Sequence, residues 1–104
     1  MENRHENRSL HRIELMYGSN DTYCPGSTIN VSPHGMRIHA ESQIVPINHE
    51  IKLVLTLRGE VVSMQGVVCW NSEVLGLEPE PDKHLGVFIP APRPEYIDYI
   101  QRLG

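Results

Sequence analysis

Residues 51–57 (IKLVLTL), followed by residues 58–60 (RGE), decide the fold class of this chain. Apolar side chains occupy every second position of the first run, which is the period of a β-strand with one buried face. Glycine readily adopts positive φ, so Gly59 predicts a tight hairpin. Residues 61–70 are rich in valine and return as a second strand, and Gly66 within them predicts a bulge or bend.

Four further apolar segments flank this hairpin, so the sequence predicts six short strands: 13–17, 27–31, 36–40, 51–57, 61–70 and 85–89. Pro25-Gly26 is a strong turn dipeptide, and it predicts that residues 22–24 form only a short extension. Residues 18–21 and 46–49 predict turns. Residues 71–83 contain one glycine, two prolines and four acids, and they predict a loop.

The C-terminal residues show the period of a helix. Their apolar side chains recur at i, i+1, i+4 and i+7, as Tyr96, Ile97, Ile100 and Leu103. Pro94 and Glu95 suit the first turn, so we predict a helix over about residues 94–103 that docks on the sheet and covers one end of it. Short strands with one terminal helix are typical of a mainly β fold, here a small antiparallel six-stranded β-barrel with a short C-terminal α-helix.

Residues 30–35 (NVSPHG) join two of the predicted strands. Asn and Ser hydrogen-bond locally and suit turns, and Pro33 fixes its own φ and removes a backbone donor. Gly35 can adopt positive φ, or it can let another group approach the backbone closely. The segment therefore predicts a tight connection that presents Asn30 and Ser32 at a fixed spacing. A hairpin turn without any binding role is the simpler alternative.

A second motif lies upstream, where Arg8 and Arg12 stand four residues apart immediately before the first predicted strand. Arg4 lies four residues earlier, so the pair Arg4 and Arg8 also satisfies the spacing. We prefer Arg8 with Arg12 because Arg12 adjoins the strand. Residues 1–11 are polar and charged, and they predict a flexible N-terminal arm that carries the arginines ahead of a barrel domain spanning residues 12–104.

The pair Arg-x-x-x-Arg followed by Asn-x-Ser-x-x-Gly resembles the two-part signature of the PilZ domain family, bacterial receptors for cyclic di-GMP. The resemblance covers nearly the whole chain, including VVCW at 67–70 and LGVF at 85–88. It implies a split β-barrel like the one predicted above. It also implies a receptor or adaptor that binds cyclic di-GMP, orders its arm on binding, and signals to an unidentified effector protein in trans.

The resemblance also assigns ligand contacts residue by residue. Arg8 and Arg12 match the arginine pair, and the second motif is matched by Asn30, Ser32 and Gly35. Asn30 stands where the family has Asp or Asn. It brings no charge that could hold an arginine in place.

Four further residues are candidates at the same site. Asn7 precedes the arginine pair, a position that in the family influences whether one ligand or a stacked pair binds. Arg4 belongs to the alternative register. Arg37 alternates with apolar neighbours, which predicts a side chain that faces away from the core and toward the second motif. Trp70 either stacks on a guanine or fills the core, as large aromatic residues do in small domains.

The composition limits the classes of function. The 104 residues suffice for one domain, and no apolar run approaches the ~20 residues of a membrane helix. The first ten residues lack the apolar region of a signal peptide. The two cysteines lie far apart in the sequence, which favours a reduced, cytoplasmic protein. A disulfide between them is the alternative. A net charge of −4 and 6% aromatic residues argue against a DNA- or RNA-binding domain.

No grouping of residues predicts catalysis or a metal site. The six histidines are scattered, and no serine has a positioned base beside it. We therefore expect no enzymatic activity, no cofactor and no metal. The alternative function is a nucleotide-independent protein-interaction adaptor of the same fold, although such adaptors typically lack the two motifs.

Overall fold

The structure, a computed structural model, describes residues 9–10, 12–19, 22–41, 44–72 and 83–103. These residues form seven strands and one helix: β1 (Ser9–Leu10), β2 (Glu14–Ser19), β3 (Thr22–Ser32), β4 (Gly35–Ala40), β5 (Glu50–Leu57), β6 (Glu60–Asn71), β7 (Lys83–Phe88) and α1 (Pro94–Leu103). Most of the predicted loop at residues 71–83 lies outside the described residues.

Strands β2 to β7 close into an antiparallel barrel. The order around the barrel is β3-β2-β5-β6-β7-β4, and β4 pairs back onto β3. β1 adds two residues along the end of β3 that β2 does not reach. This architecture confirms the predicted six-stranded β-barrel with a short C-terminal helix.

The central hairpin follows the alternation of the sequence. In β5, Ile51, Leu53, Leu55 and Leu57 are buried, whereas Lys52 and Thr56 are exposed. Arg58 and Gly59 have φ values of 53° and 80°, the pattern of a type I′ two-residue turn. That turn matches the right-handed twist of paired strands, so the two strands pair without splaying.

The interior is filled by side chains from all six barrel strands and from α1. Its largest fully buried members are Tyr17, Tyr96, Met36, Ile38, Leu53, Leu55, Leu85 and Ile89. Cys24 is buried and Cys69 is exposed, and no disulfide joins these two described cysteines.

The turn predicted at Pro25-Gly26 is wrong, because β3 runs without interruption from Thr22 to Ser32. A Cβ at Gly26 would lie 3.1 Å from Cε1 of Tyr17 and 3.0 Å from the carbonyl oxygen of His39. Gly26 is therefore needed where β2 and β4 approach closely on either side of β3. Gly26 lets the neighbouring strands pack closely against β3. The adjacent residues in the sequence do not reveal this role of the glycine.

The bulge predicted at Gly66 is also misplaced. Gly66 pairs in register with Ile51, and a Cβ there would collide with the side chain of Val87. The register shifts lie instead between Thr28 and Asn30 in β3 and between Val68 and Trp70 in β6.

Helix α1 begins where the backbone carbonyl of Arg93 accepts bonds from the N–H groups of Tyr96 and Ile97. The Tyr96 hydroxyl donates to the carbonyl oxygen of Ser32 at 2.8 Å and lies 3.3 Å from that of Gly35. The helix is thus tied to the β3–β4 hairpin. No helix in the described part of the chain is long and apolar enough to cross a membrane.

We expect Tyr96→Phe to lower the free energy of unfolding by about 1–2 kcal/mol, because it leaves the buried Ser32 carbonyl without its donor. The unfolding midpoint should fall by roughly 4–8 °C per kcal/mol in a domain of this size. Thermal unfolding followed by circular dichroism measures the change.

Tyr23→Phe is the matched control, because Tyr23 is exposed and its hydroxyl has no hydrogen-bond partner among the described residues. An unchanged midpoint for Tyr96→Phe would show that the helix is held by apolar packing alone.

Candidate functional site

The pairing register brings four residues of the outer face into one row across four strands. Asn30 of β3 pairs with Arg37 of β4, Arg37 pairs with Gly86 of β7, and Gly86 pairs with Trp70 of β6. Directly paired residues place their side chains on the same face of a sheet. The row therefore gathers one residue of the second sequence motif with two of the further candidates.

Two β-bulges put the ends of this row on the outer face. Val68 is fully buried, so regular alternation would also point Trp70 into the barrel. The register shift between these two residues turns Trp70 outward, where it is half-buried and outside the core. The shift between Thr28, which is buried, and Asn30 does the same in β3. The core alternative for Trp70 is therefore wrong.

The indole of Trp70 lies over Gly86, since a Cβ at that glycine would overlap the indole ring. The guanidinium of Arg37 lies over the indole, 5.3 Å from the ring centroid, and its Nη2 donates to Nδ1 of His84 at 2.9 Å. Arg37 Nε is buried and has no hydrogen-bond partner among the described residues. Two neighbours thus fix the plane of one cation on the outer face.

These residues line an open cleft of about 370 Å³, here called the outer cleft, which is bounded by Asn30, Ser32, His34, Gly35, Met36, Arg37, Cys69, Trp70, Gly86, Val87 and Phe88. No acidic residue is among them. Within the described part of the chain, the lining therefore offers an arginine and the rings of His34, Trp70 and Phe88 without a carboxylate, although the whole chain has a net charge of −4.

Ser32 and Gly35 of the second motif form the base of this cleft. Ser32 is fully buried, and its hydroxyl donates to the carbonyl oxygen of Gly35 at 3.3 Å. A Cβ at Gly35 would lie 3.1 Å from the carbonyl oxygen of Val87, so the residue is needed for close approach between β4 and β7. Gly35 is not needed for a positive φ, because Gly59 is the one described glycine that adopts such a value.

The first motif is only partly described. Ser9 and Leu10, which lie between the two arginines, pair with Val31 and Asn30 of the second motif. Arg8, with Asn7 and Arg4, lies outside the described residues.

Arg12 is exposed, and its Nε donates to Oε2 of Glu14 at 3.1 Å. The backbone next to it is anchored, because the N–H of Ile13 donates to Oγ1 of Thr28 at 2.8 Å. The structure thus brings the backbone between the arginines beside Asn30, and whether the arginines contact a ligand stays a prediction.

A larger cleft of about 530 Å³ lies at the other end of β3, around Tyr23. Its one described cation, Lys52, is accompanied by Glu50, whose carboxylate accepts from Gln65 at 3.2 Å. None of the motif residues lines it. Its charges balance, so it suits an anionic ligand less well than the outer cleft does.

Several residues of the site were not among the sequence candidates, notably the lining residues His34, Cys69, Gly86 and Phe88, and His84, which accepts from Arg37. Alternation could have found three of them, because His84, Gly86 and Phe88 alternate with buried positions in β7. Among the described residues, no group of three His, Cys, Asp or Glu side chains could hold a metal ion.

Known proteins resemble this chain in sequence family and in fold. The family model described as "PilZ domain" matches residues 2–103. The inhibitor of motility (MotI/DgrA) of Bacillus subtilis has a similar structure, with a TM-score of 0.73 and 11% sequence identity over 98% of this chain and 49% of that one. The chain therefore spans about half the length of the Bacillus protein.

The PilZ domain of YcgR from Escherichia coli, solved with c-di-GMP, matches with a TM-score of 0.68 and 12% identity over 98% of this chain and 88% of that one. At these identities the likeness of the structures shows the fold alone. Among curated proteins, none matches the chain. Because the family model extends over nearly all of its 104 residues, the chain belongs to the PilZ domain family.

Proposed function

We propose that this chain is a non-enzymatic, cytoplasmic receptor for cyclic di-GMP that signals to an effector protein in trans. The observation that carries the proposal is the row of Asn30, Arg37 and Trp70 on the outer face, beside which β1 brings the backbone between Arg8 and Arg12. Membership of the PilZ family and the cyclic di-GMP in the YcgR structure support it.

Cyclic di-GMP offers two phosphate charges and two guanine faces. An arginine fork forms paired hydrogen bonds with phosphate and with the O6 and N7 edge of guanine. Asn30 supplies both a donor and an acceptor. The Trp70 indole holds the Arg37 guanidinium by a cation–π contact, and the unpaired Nε–H of Arg37 is a donor that a ligand oxygen would satisfy.

The binding step we propose closes the N-terminal arm over the outer cleft. Arg12 leaves its exposed ion pair with Glu14, which costs little because such pairs contribute about 0–1 kcal/mol. Arg8 approaches from the neighbouring position of the arm. Ser32 contacts the ligand only if its hydroxyl turns away from the Gly35 carbonyl. The ordered arm then forms the surface that the effector protein recognises.

A thermal unfolding scan with cyclic di-GMP tests the receptor function. Ligand at a hundred times its dissociation constant adds about 2.7 kcal/mol of stability. The midpoint should therefore rise by about 10 °C or more, at roughly 4–8 °C per kcal/mol. GTP should give no shift, and Arg12→Ala should abolish the shift without unfolding the protein.

Arg102→Ala is the matched control, because Arg102 is also exposed and ion-paired, to Asp98 at 3.0 Å on α1. It should keep the full shift. No shift of the wild-type protein at millimolar cyclic di-GMP would exclude the receptor and favour the nucleotide-independent adaptor.

Glu14→Gln should tighten binding, by about fivefold at most, because it releases Arg12 from an ion pair worth up to about 1 kcal/mol. Isothermal titration calorimetry at low salt measures the effect. Asp98→Asn releases Arg102 in the same way and should leave the affinity unchanged. A weaker affinity for Glu14→Gln would mean that the carboxylate orients Arg12 for the ligand.

Gly86→Ala should weaken binding while leaving the barrel folded. The added methyl group faces outward and displaces the Trp70 indole from its place under Arg37. Trp70 is the one tryptophan of the chain, so its fluorescence reports the displacement directly. Wild-type affinity together with a changed emission spectrum would show that the indole is not part of the binding site.

A further inference from the structure

His84 lies beside the outer cleft and belongs to neither sequence motif. Its backbone is anchored at the end of β6, where its N–H donates to Oγ of Ser72 at 3.1 Å and its carbonyl oxygen accepts from the Ser72 N–H at 3.0 Å. Its half-buried imidazole meets the ring of His39, its partner on β4, edge-on with centroids 5.7 Å apart. Contacts on two neighbouring strands therefore hold His84 in place.

The contact with Arg37 determines which nitrogen of the His84 ring carries the proton. Nη2 of Arg37 lies 2.9 Å from Nδ1 of His84. A guanidinium has five N–H donors and no acceptor, so Nδ1 has to be the acceptor. In a neutral imidazole the proton then sits on Nε2, whereas a doubly protonated ring would turn a donor and a positive charge toward the guanidinium. The hydrogen bond therefore requires a neutral His84.

His84 and Trp70 restrain Arg37 in different ways. The cation–π contact keeps the guanidinium over the indole, 5.3 Å from its centroid, but attraction to a ring face sets no direction for the individual N–H groups. A hydrogen bond does set a direction, because it weakens steeply when the donor turns away. The bond to His84 therefore selects one rotation of the guanidinium over the indole, and with it the direction of the unpartnered Nε–H.

We propose that His84 is a positioning residue for cyclic di-GMP, and that its neutral imidazole holds Arg37 in the orientation in which the guanidinium receives the ligand. The inference rests on the proposed function and deepens it, because it adds a residue that acts through Arg37 and does not itself contact the ligand. A free arginine side chain would have to be ordered when the ligand binds, and that ordering subtracts from affinity. The bond to His84 orders the side chain in advance.

The same contact makes binding sensitive to pH. Histidine is the side chain that ordinarily changes charge between pH 5 and 8. Because the ligand is received by Arg37 held on a neutral ring, protonation of His84 should weaken binding as the pH falls. The described groups beside His84 that carry a charge or gain one in acid are Arg37 and His39 on β4 and Lys83 on β7, whereas the end of β6 adds only Asn71 and Ser72. None of them is a carboxylate that would stabilise a protonated ring.

The test measures the dissociation constant of cyclic di-GMP by calorimetry at about pH 8 for the wild type and two variants of His84. His84→Phe keeps a ring against His39 and removes the acceptor, so the constant should rise by roughly 2- to 12-fold, the cost of ordering one free side chain on binding. His84→Asn places an amide oxygen near the position of Nδ1 and should bind like the wild type. Thermal unfolding of both variants checks that the barrel stays folded.

The pH profile supplies a readout that a merely structural role would not change. The wild-type affinity should fall in acid with the midpoint at which the His84 ring titrates by NMR, and His84→Asn should lack this component. His34 and His39 remain in both proteins, so their contribution cancels in the comparison. The nitrogen chemical shifts of His84 should also show the Nε2–H tautomer at about pH 8.

His49→Asn is the matched control, because His49 is exposed and does not line the outer cleft. This variant should keep both the affinity and the pH dependence of the wild type. An effect equal to that of His84→Phe would overturn the inference, because the loss would not be specific to the residue that holds Arg37.

The outcomes separate this inference from the function on which it rests. If the wild type binds no cyclic di-GMP, the receptor function itself fails. If the wild type binds and His84→Phe binds equally well, or if the His84 ring carries its proton on Nδ1, His84 does not position Arg37 and the receptor stands. A wild-type pH profile that matches that of His84→Asn, or an affinity that rises further in acid, would also overturn the positioning role.

Discussion

The hydrogen bond from the Tyr96 hydroxyl to the Ser32 carbonyl is the contact on which the rest of the site depends. It joins α1 to the β3–β4 hairpin across 64 positions of sequence, in a place from which water is excluded. The same hydroxyl lies near the Gly35 carbonyl, so both ends of the hairpin turn are held from inside. With the turn fixed, Asn30 and Arg37 keep their register on the outer face.

The outer cleft is built by exceptions to the regular sheet. A closed barrel with strict alternation would send Asn30 and Trp70 inward, where an amide and an indole N–H would each need a buried partner. One extra residue in β3 and one in β6 turn both outward into the same row. Gly86 leaves the space that the indole then occupies. Bulges are known to redirect side chains in this manner at functional sites.

Patterns within one strand or helix predicted the elements in which burial follows a local period. The alternation at 51–57 predicted the central hairpin, and the apolar positions of 94–103 predicted the helix. Each pattern can be read from consecutive residues, because one face of each element is buried. The strand through Gly26 and the bulges could not be predicted in this way. They depend on neighbours in other strands, such as Tyr17 beside Gly26 and Gly86 beneath Trp70. The sequence motif identified Asn30 as a site residue, whereas the stacking of Arg37 on Trp70 follows only from the pairing register of the strands.

The two residues of β1 lower the entropic cost of the binding step proposed above. Fixing the backbone of one residue costs about 1–2 kcal/mol. Ser9 and Leu10 are already paired with Val31 and Asn30, so for these two residues that cost is met during folding. In the proposed binding step, closing the arm over the outer cleft then has two fewer backbone positions to fix.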